Sequence, residues 1–159
     1  MEVQLFRIDD RLIHGQVVLG WAKYLKSKHV ILCDNEVAGN DWESELYLSC
    51  VPDELNARIM NTNDTSRYLN NGVVEPEKTI VLVKSPQIVR ELIETGYRPR
   101  NVNLGGMHYG KNRKKYLPYV FLGKNDVEDL QFCIKNGVSI YCQDVPNSRK
   151  HKISNLLAL

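Results

Sequence analysis

The stretch "VQLFRIDDRLIHGQVVLGWAKYL", Val3 to Leu25, sets the fold class. Val3 to Ile8 is a short run rich in β-branched and aromatic residues and reads as a strand. From Gly15 onward Val17, Val18, Trp21 and Leu25 recur at helical spacing. Between the two runs the chain places Asp9, Asp10, Arg11 and His14, with Arg7 at the end of the strand. The result is one strand–loop–helix unit with its charge concentrated in the turn.

The same alternation continues along the chain. "HVILC" (His29 to Cys33) predicts a second strand, followed by a helix in "NDWESELYLSC", where Asn40 and Glu43 stand at capping-box spacing. "NARIM" and "NDTSRYLNNG" predict a short strand and a brief helix stopping at Gly72. "TIVLV" (Thr79 to Val83) is the near-continuous apolar run expected of a strand covered on both faces. In "SPQIVRELIETG", Ser85 is the expected N-cap, Pro86 opens the helix and Gly96 stops it. "NVNL" (Asn101 to Leu104) is a strand running into the basic loop "GGMHYGKNRKK", and "YLPYVFL" reads as an edge or irregular strand because of Pro118. Asn125 and Glu128 predict a capping box for a helix ending at Gly137, and "VSIYC" supplies a last strand. The tail "SRKHKISNLLAL" is expected to be peripheral. Strands alternating with helices imply an α/β fold with a largely parallel sheet, in a single domain over residues 1–159.

Composition narrows the function classes. A net charge of +2 from 21 basic and 19 acidic residues argues against wholesale nucleic-acid binding, so electrostatic function must be local. Cys33, Cys50, Cys133 and Cys142 are scattered through apolar surroundings without metal-site spacing, and are expected to be buried thiols in a reducing cytosol. No window approaches the length of a membrane span and the N-terminus lacks a leader pattern, so a cytoplasmic protein without direct membrane insertion is expected.

In a sheet of this kind ligands gather at the carboxyl ends of the strands, where loops and helix N-termini converge. The first such loop puts His14 immediately before a helix starting near Gly15 or Gln16, so free N–H groups lie beside an imidazole, an arrangement suited to an anion. Arg11 and Arg7 can offer guanidinium groups to phosphate oxygens, and positive surroundings would lower the pKa of His14 and favour a nucleophilic ring. Asp9 or Asp10 is expected either to orient the ring or to orient an arginine. A charged surface loop with internal ion pairs would explain the same residues. The second candidate loop has Gly105 and Gly106, which permit close backbone approach, His108, and the basic run from Lys111 to Lys115. It matches no nucleotide-loop pattern and is a candidate for docking an acidic partner. His29 is expected to be structural and His151 solvated.

"RIDDRLIHGQV" (Arg7 to Val17), followed by Trp21, resembles the phosphorylation-site signature of the IIB component of the mannose/fructose/sorbose family of the bacterial phosphoenolpyruvate-dependent sugar phosphotransferase system (PTS). "DNEVA" (Asp34 to Ala38), "NVNLGGMHYGK" and "QDVP" (Gln143 to Pro146) resemble later segments of that family, so the likeness runs through nearly the whole chain. The resemblance implies a three-layer α/β/α fold and a cytoplasmic phosphoryl carrier. In that role His14 accepts a phosphoryl group, through Nδ1, from a phosphohistidine of the IIA component and passes it to a sugar at the IIC and IID membrane subunits. It places the signature arginine on Arg11, and implies neither metal nor organic cofactor. The sugar, of mannose, fructose, sorbose or N-acetylgalactosamine type, stays open.

Asp34 is followed by Asn35 where many relatives have a second acid, so no charged role is expected of that loop. The alternative from another class is a binding module that holds a phosphorylated ligand or nucleotide between the two loops without a covalent step.

Overall fold

The computed structural model describes the chain except Met1, Gly15 and Leu159 and the side chains of His14, Gln16 and Val17. Strand β1 (Leu5–Asp9) is buried along its whole length, between β4 (Thr79–Val83) and β5 (Asn101–Gly106), and parallel to both. Side chains alternate across a strand, so Phe6 and Ile8 enter one core and Leu5 the other, with Arg7 and Asp9 following Leu5. Adding β2 (His29–Cys33), β3 (Asn56–Met60), β8 (Ser139–Cys142) and β9 (His151–Lys152) gives, among the described residues, a seven-stranded sheet ordered β3-β2-β4-β1-β5-β8-β9. All neighbours are parallel except β9, which runs antiparallel to β8.

Helices cover both faces, giving the expected three layers. On the Leu5 face, α1 (Gln16–Leu25) packs Val18, Trp21 and Ala22 over Val30, Leu32, Ile80 and Leu82, and the short helix α2 (Asn35–Ala38) adds Val37. α3 (Asp41–Ser49) lies at the edge of this layer, with no fully buried residue and Tyr47 as its contact to the core. The opposite face receives Leu69 from α4 (Thr62–Asn70), Ile88, Val89 and Leu92 from α5 (Pro86–Glu94), and Leu130 and Cys133 from α6 (Lys124–Lys135). Among the described residues no helix is long and apolar enough to cross a membrane.

The cap predicted at Asn40 forms, its side chain accepting the Glu43 N–H at 3.0 Å. The cap of α6 lies two residues before the expected one: Gly123 is the N-cap and donates its N–H to Asp126 Oδ2 at 2.8 Å, while Asn125 and Glu128 sit exposed on the helix. Ser85 stands at the N-cap of α5 in extended conformation but makes no side-chain cap bond. Pro118 splits the expected edge strand into a hairpin of β6 (Lys114–Leu117) and β7 (Val120–Leu122). That hairpin docks on the end of β5 through Met107 N–H to Tyr119 O and Phe121 N–H to Met107 O, both at 2.9 Å. The tail is not peripheral: its residues form β9 and then α7 (Ile153–Leu156), which buries Ile153. His151 accordingly lies half-buried in β9, and His29 lies 3.2 Å from Glu75. Three thiols are buried as expected; Cys50, at the end of α3, is exposed.

Candidate functional site

From β1 the chain turns toward β2 on one side of the sheet, whereas from β5 it continues toward β8 on the other. Adjacent parallel strands whose connections diverge open a crevice at their carboxyl ends, the usual position of a ligand in such folds. The loop after β1 and the "GGMHYGK" loop after β5 meet there.

Strand parity sends Arg7 inward, where its side chain is fully buried. Its guanidinium donates to Asn103 Oδ1 at 2.6 Å, to the carbonyls of Gln143 at 3.0 Å, Asp144 at 3.0 Å and Gly105 at 3.2 Å, and to Asp9 Oδ2 at 3.1 Å. It also stands over the Trp21 ring, 5.4 Å from its centroid, and the Trp21 indole donates to Asp144 O at 3.0 Å. Burial pulls its pKa down while the Asp9 carboxylate opposes the shift. The expectation that Arg7 offers its guanidinium to a phosphate is therefore corrected. Arg7 ties β1 to β5, β8 and α1, and its five hydrogen bonds meet the demand that a buried cation be paired.

Asp9, also fully buried, answers which group it orients. Its Oδ1 accepts from the Arg11 backbone N–H at 3.0 Å and Nε at 2.9 Å, and its Oδ2 from Arg11 Nη2 at 2.8 Å and from Arg7. A carboxylate has about four lone-pair positions, and two arginines occupy them. Arg11 is thus held in bidentate geometry with its side chain 29% exposed, its charge reinforced by the hydrogen bond to Asp9. The next turn, Leu12–His14, is a single 3-10 turn anchored by buried Leu12 and Ile13. Leu12 has φ +53°, a left-handed conformation costly for a residue with a Cβ and sustained here by its burial. The backbone of His14 closes that turn just before α1; its side chain, the side chain of Gln16, and Gly15 lie outside the described residues.

Gly105 and Gly106, which the sequence placed in the basic loop, are the last two residues of β5, and they explain the close packing. A Cβ on Gly105 would stand 1.9 Å from Arg7 Cζ, and one on Gly106 would stand 3.0 Å from Asp9 Oδ1 and 3.1 Å from Arg11 Nη2. The backbone approach they permit is to the two arginines, and no ligand is needed to account for them. Asp10 turns the other way: its Oδ2 accepts the His108 N–H at 2.8 Å, its Oδ1 lies 2.5 Å from His108 Nδ1, and Arg113 is 3.7 Å away. His108, Tyr109, Lys111, Lys114 and Lys115 are exposed.

The Asp34 loop after β2 differs from expectation. Asp34 is buried, caps α2 by accepting the Val37 N–H at 3.0 Å, and pairs with Lys84 at 3.3 Å, so its charge is used. Sequence reading also missed Asn103 and Gln143, both buried polar residues; Gln143 donates to the carbonyls of Pro146 and Ser148 and so shapes the loop that receives Arg7. A polar residue inside an otherwise apolar strand was the available signal for Asn103. Among the described residues no group of three or more His, Cys, Asp or Glu could hold a metal ion.

The chain is similar to known proteins over nearly its whole length. The model of the "PTS system sorbose subfamily IIB component" family matches residues 3–159. The N-acetylgalactosamine-specific phosphotransferase enzyme IIB component 1 of Escherichia coli is 31% identical over 153 residues, covering 95% of this chain and 96% of that one. The PTS system mannose-specific EIIAB component of E. coli is 28% identical over 158 residues, and the chain spans 49% of its length. Among solved structures, the E. coli N-acetylgalactosamine-specific IIB component 1 superposes with a TM-score of 0.85 at 30% identity, covering 95% of this chain and 99% of that one. The IIB domain of the Klebsiella pneumoniae sorbose permease, at 24% identity, shares the fold with a TM-score of 0.86. These likenesses do not favour a non-covalent binding module. The chain, matched almost end to end, belongs to the sorbose-subfamily IIB components of the PTS, subunits of a sugar phosphotransferase.

Proposed function

We propose that the chain is a cytoplasmic phosphoryl carrier. His14 accepts a phosphoryl group on Nδ1 from the phosphohistidine of a IIA component and transfers it to a sugar presented by IIC and IID membrane subunits. The observation that carries this reading is the fixed guanidinium of Arg11, three residues before His14 and partly exposed at the diverging strand ends. Phosphoryl transfer asks of a protein mainly positioning and charge stabilisation, and Arg11 with the N-terminus of α1 supplies both. No metal or organic cofactor is part of this scheme. The relative at 31% identity is specific for N-acetylgalactosamine, which makes that sugar class the first choice for this chain.

Incubation with phosphoenolpyruvate, enzyme I, HPr and the matching IIA should add about one acid-labile phosphoryl group by mass, absent in His14→Ala. Persistence of the addition in His14→Ala would overturn the assignment. Arg11→Ala should slow loading by about 10²-fold, as expected for loss of a group that stabilises transition-state charge.

The exposed run of Lys111, Lys114 and Lys115 is the proposed docking surface for an acidic rim on IIA. Reversal of all three to Glu should lower the rate of loading and weaken its dependence on ionic strength, measured by stopped loading at low and high salt. An unchanged rate at low salt would remove the loop from the donor interface.

A further inference from the structure

His108 and Asp10 form an imidazole–carboxylate pair at the same rim, and the relay set out above makes no use of it. The Asp10 carboxylate lies 2.5 Å from His108 Nδ1 and accepts the His108 backbone N–H at 2.8 Å. The His108 carbonyl accepts from Arg113 Nη1 at 2.9 Å, and Asp10 N–H donates to Gly106 O at 3.0 Å, so both loops are pinned to each other at this point. Arg113, 3.7 Å from Asp10 and 3.5 Å from Asp126, Asp126 itself and Arg11, whose charge interacts with Asp10, are charged groups around the pair. The His108 side chain is nevertheless 62% exposed. Asp10 stands against the Nδ1 edge of the ring, so Nε2 is the nitrogen left for another partner.

The two transfers of a phosphoryl relay differ in their proton chemistry. In the first, a nitrogen lone pair of His14 attacks phosphorus, and no proton leaves the attacking nitrogen. In the second, a sugar hydroxyl attacks, and its proton must go elsewhere. Arginine cannot accept it, because the guanidinium stays protonated throughout the accessible pH range. We propose that His108 is the general base of the second transfer, with Asp10 as its positioning residue, an assignment that rests on the relay reading of His14. The sugar oxygen forms the new O–P bond as the N–P bond of His14 breaks, and that bond's electron pair returns to the His14 ring. The hydroxyl proton passes to His108 Nε2, and the resulting imidazolium is stabilised by the Asp10 carboxylate until the proton leaves to solvent.

The test measures the two transfers separately in the intact protein. Enzyme I, HPr, IIA and phosphoenolpyruvate load His14. Membranes carrying the cognate IIC and IID subunits then receive N-acetylgalactosamine, mannose, fructose or sorbose in turn. His108→Asn keeps an N–H donor toward Asp10 and removes Nε2. It should cut sugar phosphorylation by about 10²-fold, the usual contribution of a general base, while loading changes by no more than about threefold. Asp10→Asn should slow sugar transfer while leaving loading within the same threefold range, and Asp10→Glu should recover part of the loss. Equal losses in both transfers, or undiminished sugar transfer in His108→Asn, would overturn the base assignment alone. Failure of the wild type to load would overturn the relay and this proposal together.

Discussion

Arg7 and Arg11 look alike in the sequence, each two residues from Asp9, and the structure gives them opposite roles. What separates them is strand parity and a partner far along the chain, since Gly105, which leaves space for the Arg7 guanidinium, lies 98 residues away. Gly105→Ala should therefore displace Arg7 and cost about 3 kcal/mol or more, the scale of breaking a buried ion pair, read from urea unfolding midpoints. Gly106→Ala meets atoms at 3.0–3.1 Å, and should leave the fold intact while slowing the loading of His14 by shifting Arg11. A Gly106→Ala protein that loads at the wild-type rate would show that the placement of Arg11 tolerates such movement. The crowding of charge at the first turn was legible from residue types alone. The division between the arginine that holds the loop and the one at the surface was not, because it depends on contacts across β5 and β8.

Elements with strong local signals match their sequence expectations closely. β4 and α5 carry a continuous apolar run and a one-sided apolar face, and both occur where those patterns place them. The tail carries no such signal: a two-residue strand and a four-residue helix are too short to show periodicity, and their formation depends on the edge of β8 already being present. Ile153→Ala should nonetheless cost about 2–5 kcal/mol by opening space in the core that α7 closes, while Asn155→Ala on its exposed side should change stability by less than about 0.5 kcal/mol. Equal denaturation midpoints for the two variants would return the tail to the periphery. The start of α6 shows the opposite lesson: the residue types of a capping box were present at Asn125 and Glu128, yet extended Gly123 with Asp126 at the third helical position provides the cap.

For the molecule as a whole, burial raises the Cys33 thiol to about 11 and the Cys133 and Cys142 thiols to about 12. In the unfolded chain these thiols ionise near the ordinary value of 9.0, while in the folded protein they stay protonated, so their contribution to stability is complete below that pH. It declines as pH rises from about 9 toward 12. Urea midpoints should accordingly fall between pH 8 and pH 10.5, and the fall should be smaller in a Cys33→Ala/Cys133→Ala/Cys142→Ala variant; an equal fall would assign the alkaline loss to other groups. The layered fold was legible from alternating strand and helix patterns, whereas the order of strands rests on pairings between distant segments. The buried guanidinium of Arg7 joins the first strand to the Gln143 carbonyl, 136 residues later. During synthesis the signature loop leaves the ribosome early, but its anchoring carbonyls arrive only when the last parallel strand has been made. A nascent or truncated chain ending before that strand can display the Arg7 to Val17 motif and still lack the bonds that fix its loop, so the covalent order of the motif and the time at which its loop can become rigid are reversed.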